Sequence, residues 1–367
     1  MEMRKKFDEI FEDCTKLGTK IKTDEYHSNG KHPIIDQGQE MVAGFTDLED
    51  GLLDAVPAIV FGDHTRIIKY VDCPFFLGAD GVKVLRSKVP NANYRYLYYA
   101  LKNAKIPNTG YNRHYKWLKE LEIEYPPIDQ QVKTVKVLDK VESIIYNRQN
   151  QLQKLDELVK ARFVEMFGDP VTNPMDWPTK PLLEMGYCKN GMNFHTGDSG
   201  IEMHCLGVGD FKDYSVIDGT DYLPTISLNE APPEESMLQD GDLVFVRSNG
   251  NKALVGRCLL VYPHNTPTTY SGFCIRYRLT SAEVNIAYLL RVLKTDSMRK
   301  KMAGRGANIQ NLNQQILAAL NIPTPPLELQ EWFTAFIEQI DKSKVAVQKS
   351  LDEAQLLFDS LMQHYFG

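Results

Sequence analysis

Residues 126–168 read PPIDQQVKTVKVLDKVESIIYNRQNQLQKLDELVKARFVEMFG, and this stretch organises the chain. A proline pair, which cannot continue a helix, is followed by a long run free of proline and glycine until Gly168. The pattern predicts one helix over 128–166. Its apolar residues Leu138, Val141, Ile145, Leu152, Leu155, Val159 and Met166 recur at steps of three, four and seven, the spacing of a coiled-coil seam. A helix of this length cannot bury such a stripe against itself and needs a partner.

The C-terminal stretch 325–367, PPLELQEWFTAFIEQIDKSKVAVQKSLDEAQLLFDSLMQHYFG, supplies one. Adding 199 to each residue number carries Pro126-Pro127 onto Pro325-Pro326, Gln131 onto Gln330, Leu152 onto Leu351 and Phe167-Gly168 onto Phe366-Gly367, without a gap. The seam follows, from Leu138, Val141, Leu152 and Val159 to Ile337, Ile340, Leu351 and Phe358. Two copies of one unit at constant offset are an internal repeat. Polar seam positions have apolar counterparts, Arg148 with Val347 and Lys344 with Ile145, and their long side chains are expected to reach solvent.

The segments between the helices repeat too. Short β-rich runs at 58–62, 81–85, 242–246, 256–262 and 273–279 alternate with turn clusters. Each set precedes a short helical pattern, Tyr94 to Lys102 and Ile286 to Lys294, at an offset of 192. The second copy therefore carries about seven extra residues, around Arg299 to Gly306. Phe7-Asp8-Glu9-Ile10 echoes Leu182-Leu183-Glu184-Met185. The expected fold is α+β: a mixed α/β domain at 1–125, a helix at 126–168, a second mixed domain at 169–324 and a second helix at 325–367. The two long helices are expected to pair antiparallel as a coiled coil, in a pseudo-twofold repeat.

A net charge of −6 argues at first against a nucleic-acid partner, yet most of the excess acid lies on 325–367, with three basic and seven acidic residues. From Gly81 to Leu118 there is no acidic residue, while Lys83, Arg86, Lys88, Arg95, Lys102, Lys105, Arg113 and Lys116 stand among seven tyrosines and tryptophans. Between Leu243 and Leu327 only Glu283 and Asp296 are acidic, against eleven lysines and arginines. Basic stretches interleaved with aromatics suit phosphate neutralisation and base contact. Catalytic patterns are missing: no phosphate-binding glycine loop, no H-E-x-x-H, no dinucleotide fingerprint and no histidine or cysteine spacing for a metal. With no long apolar run and a charged start, the chain reads as soluble and cytoplasmic, without a membrane partner.

Gly306-Ala307-Asn308-Ile309-Gln310-Asn311-Leu312, Leu320-Asn321-Ile322-Pro323 and Pro325-Pro326, followed by Gln330, form one signature. Phe167-Gly168-Asp169-Pro170, Asn173-Pro174 and Trp177 form another. On these motifs and the duplicated architecture the whole chain resembles the specificity subunits of type I restriction-modification systems. The resemblance implies a non-catalytic DNA-recognition subunit in which each domain reads half of a bipartite target and the helices fix the gap. It implies no cofactor of its own. Two modification (methyltransferase) subunits would bring S-adenosylmethionine and methylate adenine in double-stranded DNA, and restriction subunits would use ATP and Mg. A stand-alone DNA-binding regulator is the alternative, and it would bind its target tightly as an isolated chain.

The candidate DNA contacts are Lys83, Arg86, Arg113 and Lys116 in the first domain, and Arg247, Asn249, Lys252, Arg305 and Gln310 in the second. Arg247-Ser248-Asn249-Gly250 follows a strand at a turn, where arginine can address guanine and asparagine adenine. Gly304-Arg305-Gly306 permits close approach to a phosphate. In the first half Tyr111-Asn112-Arg113-His114 stands where the second has Gln310-Asn311-Leu312-Asn313, so the two domains are expected to read different sequences.

Overall fold

The computed structural model describes residues 4–78, 80–195, 197–211, 215–303 and 311–367. Both long helices are present, Ile128–Phe167 and Leu327–Phe366, of forty residues each. The chain divides into two compact units, Met1–Gln151 with Val347–Gly367, and Leu152–Ala346, so that each unit holds part of both helices.

Within the first unit Leu138 and Val141 share a core with Phe358 and Met362, while Arg148 Nε donates to Ser350 Oγ at 3.2 Å. Rising numbers on one helix meet falling numbers on the other, so the segments run antiparallel. The second unit shows the same order: the Phe167 and Phe333 rings lie 5.4 Å apart, and Lys344 Nζ pairs with Asp156 at 2.5 Å. The polar seam residues Arg148 and Lys344 are thus bonded across the helix pair as well as reaching solvent.

The N-terminus of each long helix is built alike. The prolines leave a carbonyl that no helical N–H can reach, and a buried glutamine five residues on satisfies it: Gln131 Nε2 donates to Pro126 O and Gln330 Nε2 to Pro325 O, both at 2.8 Å. The repeat holds to the atom in the domains as well. Asn93 and Asn285 cap the helices Tyr94–Lys102 and Ile286–Lys294 by accepting backbone N–H groups, the cap position that asparagine favours. Tyr96 Oη donates to Glu124 O at 3.0 Å, and Tyr288 Oη to Pro323 O at 3.1 Å.

Each unit carries a sheet with the same central pair. In the first the order is Phe11–Asp13, Val82–Ser87, Ala58–Gly62, Ile68–Val71, all antiparallel. In the second it is Gly186–Asn190, Cys274–Leu279, Asp242–Val246, Cys258–Tyr262, with Val216–Asp218 added in parallel at the edge. The central strands Ala58–Gly62 and Asp242–Val246 are buried at every residue, which accounts for the apolar runs Ala58–Phe61 and Leu243–Val246 within them. A three-stranded sheet completes each unit, and a short two-stranded ribbon, Arg4–Lys6 with Glu122–Glu124 and Thr179–Pro181 with Asn321–Pro323, ties its ends together.

The signature after the first long helix is a folded connector. Gly168 takes φ +73°, where a Cβ would also meet Pro174 Cγ at 2.5 Å. Asp169 Oδ1 accepts Val171 N and Thr172 N, Asn173 and Trp177 bond one another in both directions, and Trp177 Nε1 donates to Phe167 O at 3.3 Å. The second domain is longer where the sequence predicts extra residues, with a helix Asp296–Ala303 that has no counterpart among the described residues of the first. Among the described residues no helix is long and apolar enough to cross a membrane.

Candidate nucleic-acid interface

The two central strands place two turns at equivalent positions. Ile59 pairs with Leu85 as Leu243 pairs with Tyr277, so Asp63, the first residue after its strand, corresponds to Arg247. Both are pinned by the segment just before the last short helix ahead of each long one: His114 N donates to Asp63 O, and Leu312 N to Arg247 O, each at 2.8 Å. In each domain two loops distant in sequence are therefore held together on one edge.

In the second domain Arg247, Asn249 and Lys252 share this edge. Arg247 is half-buried, its backbone N donates to Phe273 O at 2.8 Å, and its guanidinium reaches Gly272 O at 3.4 Å. Asn249 Oδ1 accepts Asn251 N at 2.7 Å, which shapes the turn, and Lys252 is exposed beside it. Arg299 donates to Ala253 O at 3.1 Å and so holds the extra helix against the same turn. Arg305 and Gln310, with the Gly304-Arg305-Gly306 loop, lie outside the described residues. Asn311 forms a bridge with Ser248.

In the first domain the candidates divide. Arg113 and Lys116 are exposed, just before and within the helix Tyr115–Lys119, and Lys116 Nζ lies 4.7 Å from the Trp117 ring centre. Lys83 reaches the same helix, 4.9 Å from the Tyr115 ring centre, but is held by Asp13 at 2.8 Å. Burial pushes the Asp13 carboxyl up, and the bonds from Lys83 and Thr15 outweigh it, keeping it below its ordinary value and charged. Arg86 stands three residues along the strand, on the opposite face, across from Glu12. The structure therefore gathers Lys83, Arg113 and Lys116 around one helix and leaves Arg86 apart.

Several basic residues that the composition counted toward a DNA surface are engaged by acidic side chains of the fold instead. Arg95 binds Asp139 at 2.5 Å and Glu142 at 2.8 Å on the long helix, and Lys102 binds Glu142 at 3.1 Å. Burial raises the Glu142 carboxyl, but Lys102 and Arg95 hold it below its usual value. Arg276 is 0 % exposed, with Asp242 at 3.8 Å, and Arg278 binds Asp242 through two contacts at 2.7 and 2.8 Å. These side chains fasten strands and helices together.

Sequence reasoning passed over the first-domain equivalent of the Arg247 turn. There His64 stacks on Tyr111, ring centres 4.6 Å apart and planes 7° from parallel. Tyr111 is nevertheless 87 % exposed. His64 Nδ1 lies 3.2 Å from Asn112 O, and its backbone N donates to Gln37 Oε1 at 3.2 Å. The available signal was the run Asp63-His64-Thr65-Arg66 directly after a buried strand, the same place in the repeat as Arg247-Ser248-Asn249.

Comparison with known proteins agrees with this architecture. The family model described as type I restriction modification DNA specificity domain matches residues 3–157 and 230–354. The type I restriction enzyme StySPI specificity subunit of Salmonella potsdam is 27% identical over 180 residues, 47% of this chain and 38% of that protein. The EcoR124I/EcoR124II specificity subunit of Escherichia coli is 30% identical over 84 residues, 22% of this chain and 21% of that one. The matched region thus spans well under half of each curated relative. Among solved structures, the S subunit of a type I restriction-modification system from M. genitalium aligns with TM-score 0.58 at 16% identity, over 98% of this chain and 94% of that one. A chain from a study of complex assembly and conformational transition in the type I system aligns with TM-score 0.56 at 16% identity, over 99% and 97%. At these identities the structural likeness speaks to the fold.

Proposed function

We propose, because this chain belongs to the family of type I restriction modification DNA specificity domains, that it is the non-catalytic subunit that reads the target sequence for a type I restriction-modification complex. The observation that carries this reading is the duplication. Two domains, each with a pinned two-loop edge, are each followed by a forty-residue helix capped by the same proline–glutamine device.

In this reading residues 1–125 and 169–324 are the two target-recognition domains, and 126–168 and 325–367 are the spacers. Lys83, Arg113 and Lys116, and Arg247, Asn249 and Lys252, are the contacts the geometry favours, with Arg86 the weakest of the set. Forty residues at ~1.5 Å each make a rod of roughly 60 Å, longer than the ~34 Å of one turn of B-DNA. Two readers joined by such rods would address two half-sites separated by unread base pairs.

The partners follow from the same reading. Double-stranded DNA is the ligand; two modification subunits supply S-adenosylmethionine and the adenine methylation, and restriction subunits supply ATP- and Mg-dependent cleavage. The helices offer apolar side chains for such assembly: Tyr146, Leu356 and Leu357 in the first unit, and Leu158, Trp332 and Val345 in the second, are all exposed.

The test is to co-express the chain with the methyltransferase subunit of its type I system and to map methylated adenines by long-read sequencing. A split motif with an unread gap is expected. Methylation at a short continuous motif, or none beyond that of the methyltransferase alone, would refute the assignment.

A further inference from the structure

The His64–Tyr111 stack has no part in the core. Among the described residues Tyr111 is the most exposed of the large apolar and aromatic side chains, so burial does not explain where its ring stands. Its ring is nonetheless placed. It lies parallel to His64 at 4.6 Å on one face, and the loop behind it is fastened by His114 N to Asp63 O and by the His64 ring to Asn112 O. Gly110, at φ +77°, supplies the left-handed turn that presents Tyr111.

A ring held this way forfeits little freedom on binding, which is what makes fixed tyrosines effective contact residues. The setting is cationic: Arg113 is exposed two residues on, with Lys116 at the start of the following helix, while the nearby Asp80 is paired with Lys20 at 2.7 Å and the Asp63 carboxylate accepts Tyr115 N. By register the stack occupies the first-domain place of the Arg247 turn.

We propose that Tyr111 is a specificity-determining residue of the first domain, its free ring face packing on a thymine methyl group in the major groove, with His64 as the positioning residue beneath it. The proposal rests on the DNA-reading assignment above. A thymine methyl is the apolar group by which a base pair can be told apart in that groove, and an aromatic face is a partner of matching chemistry. Arg113 then serves the adjacent phosphate, since a guanidinium fixes register on the backbone.

The experiment uses the full chain co-expressed with its methyltransferase subunit. In Tyr111→Ala, one A·T position in one half of the motif is expected to relax, with methylation at the other bases there rising about tenfold relative to the preferred one. The other half and the gap should stay as they were. Tyr111→Phe keeps the ring and should keep the motif, while His64→Ala should relax the same position to a smaller extent. Because Tyr111 is exposed, thermal unfolding of its variants should be unchanged. A wild-type split motif that Tyr111→Ala leaves intact, or that relaxes at a G·C pair, overturns the proposal alone. A wild-type complex that marks no split motif overturns the DNA-reading assignment and this proposal together.

Discussion

Phe167→Ala is expected to destabilise the unit Leu152–Ala346 by about 3–5 kcal/mol, the range for truncating a buried phenylalanine. The ring is 2 % exposed and meets Tyr288 at 4.8 Å, Phe163 at 5.3 Å and Phe333 at 5.4 Å. Two of these contacts are edge-on, the geometry aromatic pairs prefer, so their loss adds to the cavity left behind. For a unit of this size the melting temperature should fall by roughly 6–20 °C. The repeat supplies an internal control. Phe366 holds the same place in the second helix but is half-buried, with one ring neighbour among the described residues, Tyr96 at 5.2 Å. Phe366→Ala should therefore cost clearly less. Calorimetry of the two variants checks the ranking, and equal losses would mean that burial at the helix end is not what stabilises the unit.

Asp242→Ala is expected to be as damaging, by a different route. Asp242 is fully buried and holds Arg278 in a two-point contact, with the 0 %-exposed Arg276 3.8 Å from the same Oδ1 that Arg278 Nε binds. Its Oδ2 also accepts Gln239 N at 2.7 Å. Removing the carboxylate strands the buried Arg276 charge beside Arg278, and breaking a buried pair from one side typically costs about 3–5 kcal/mol. Adding Arg276→Met should recover part of the loss, because an apolar side chain of similar length has no charge to leave unpaired. Urea unfolding of the single and double variants measures this. If the double variant is no more stable than the single one, the uncompensated charge is not the cause.

The helices and their repeat are legible in the sequence because their signals are local. Proline pairs, glycine stops and a heptad stripe fix both elements to within a residue or two, from 128–166 as read to Ile128–Phe167 as found. The buried strands 58–62 and 242–246 are legible for the same reason. The fate of the basic residues is not, since it depends on which acid faces each one across the fold. Arg95 and Arg113 lie in the same acid-free stretch, yet only the packing of Tyr94–Lys102 on the long helix brings Arg95 to Asp139 and Glu142 and leaves Arg113 exposed. Phe163 and Phe333 likewise sit off the predicted seam and are buried by the domain that closes over them. The correspondence of Asp63 with Arg247 was hidden by unequal loops, because strand, short helix and long helix each repeat at a different offset. Strand pairing reveals it.

The most direct measurement of the two-reader account is a domain exchange. Residues 169–324 are replaced by the matching segment of a specificity subunit with another target, and methylated adenines are mapped with the methyltransferase subunit present. The account predicts that one half of the split motif changes while the other half and the gap length stay the same. A change in both halves, or a motif without a gap, would contradict it.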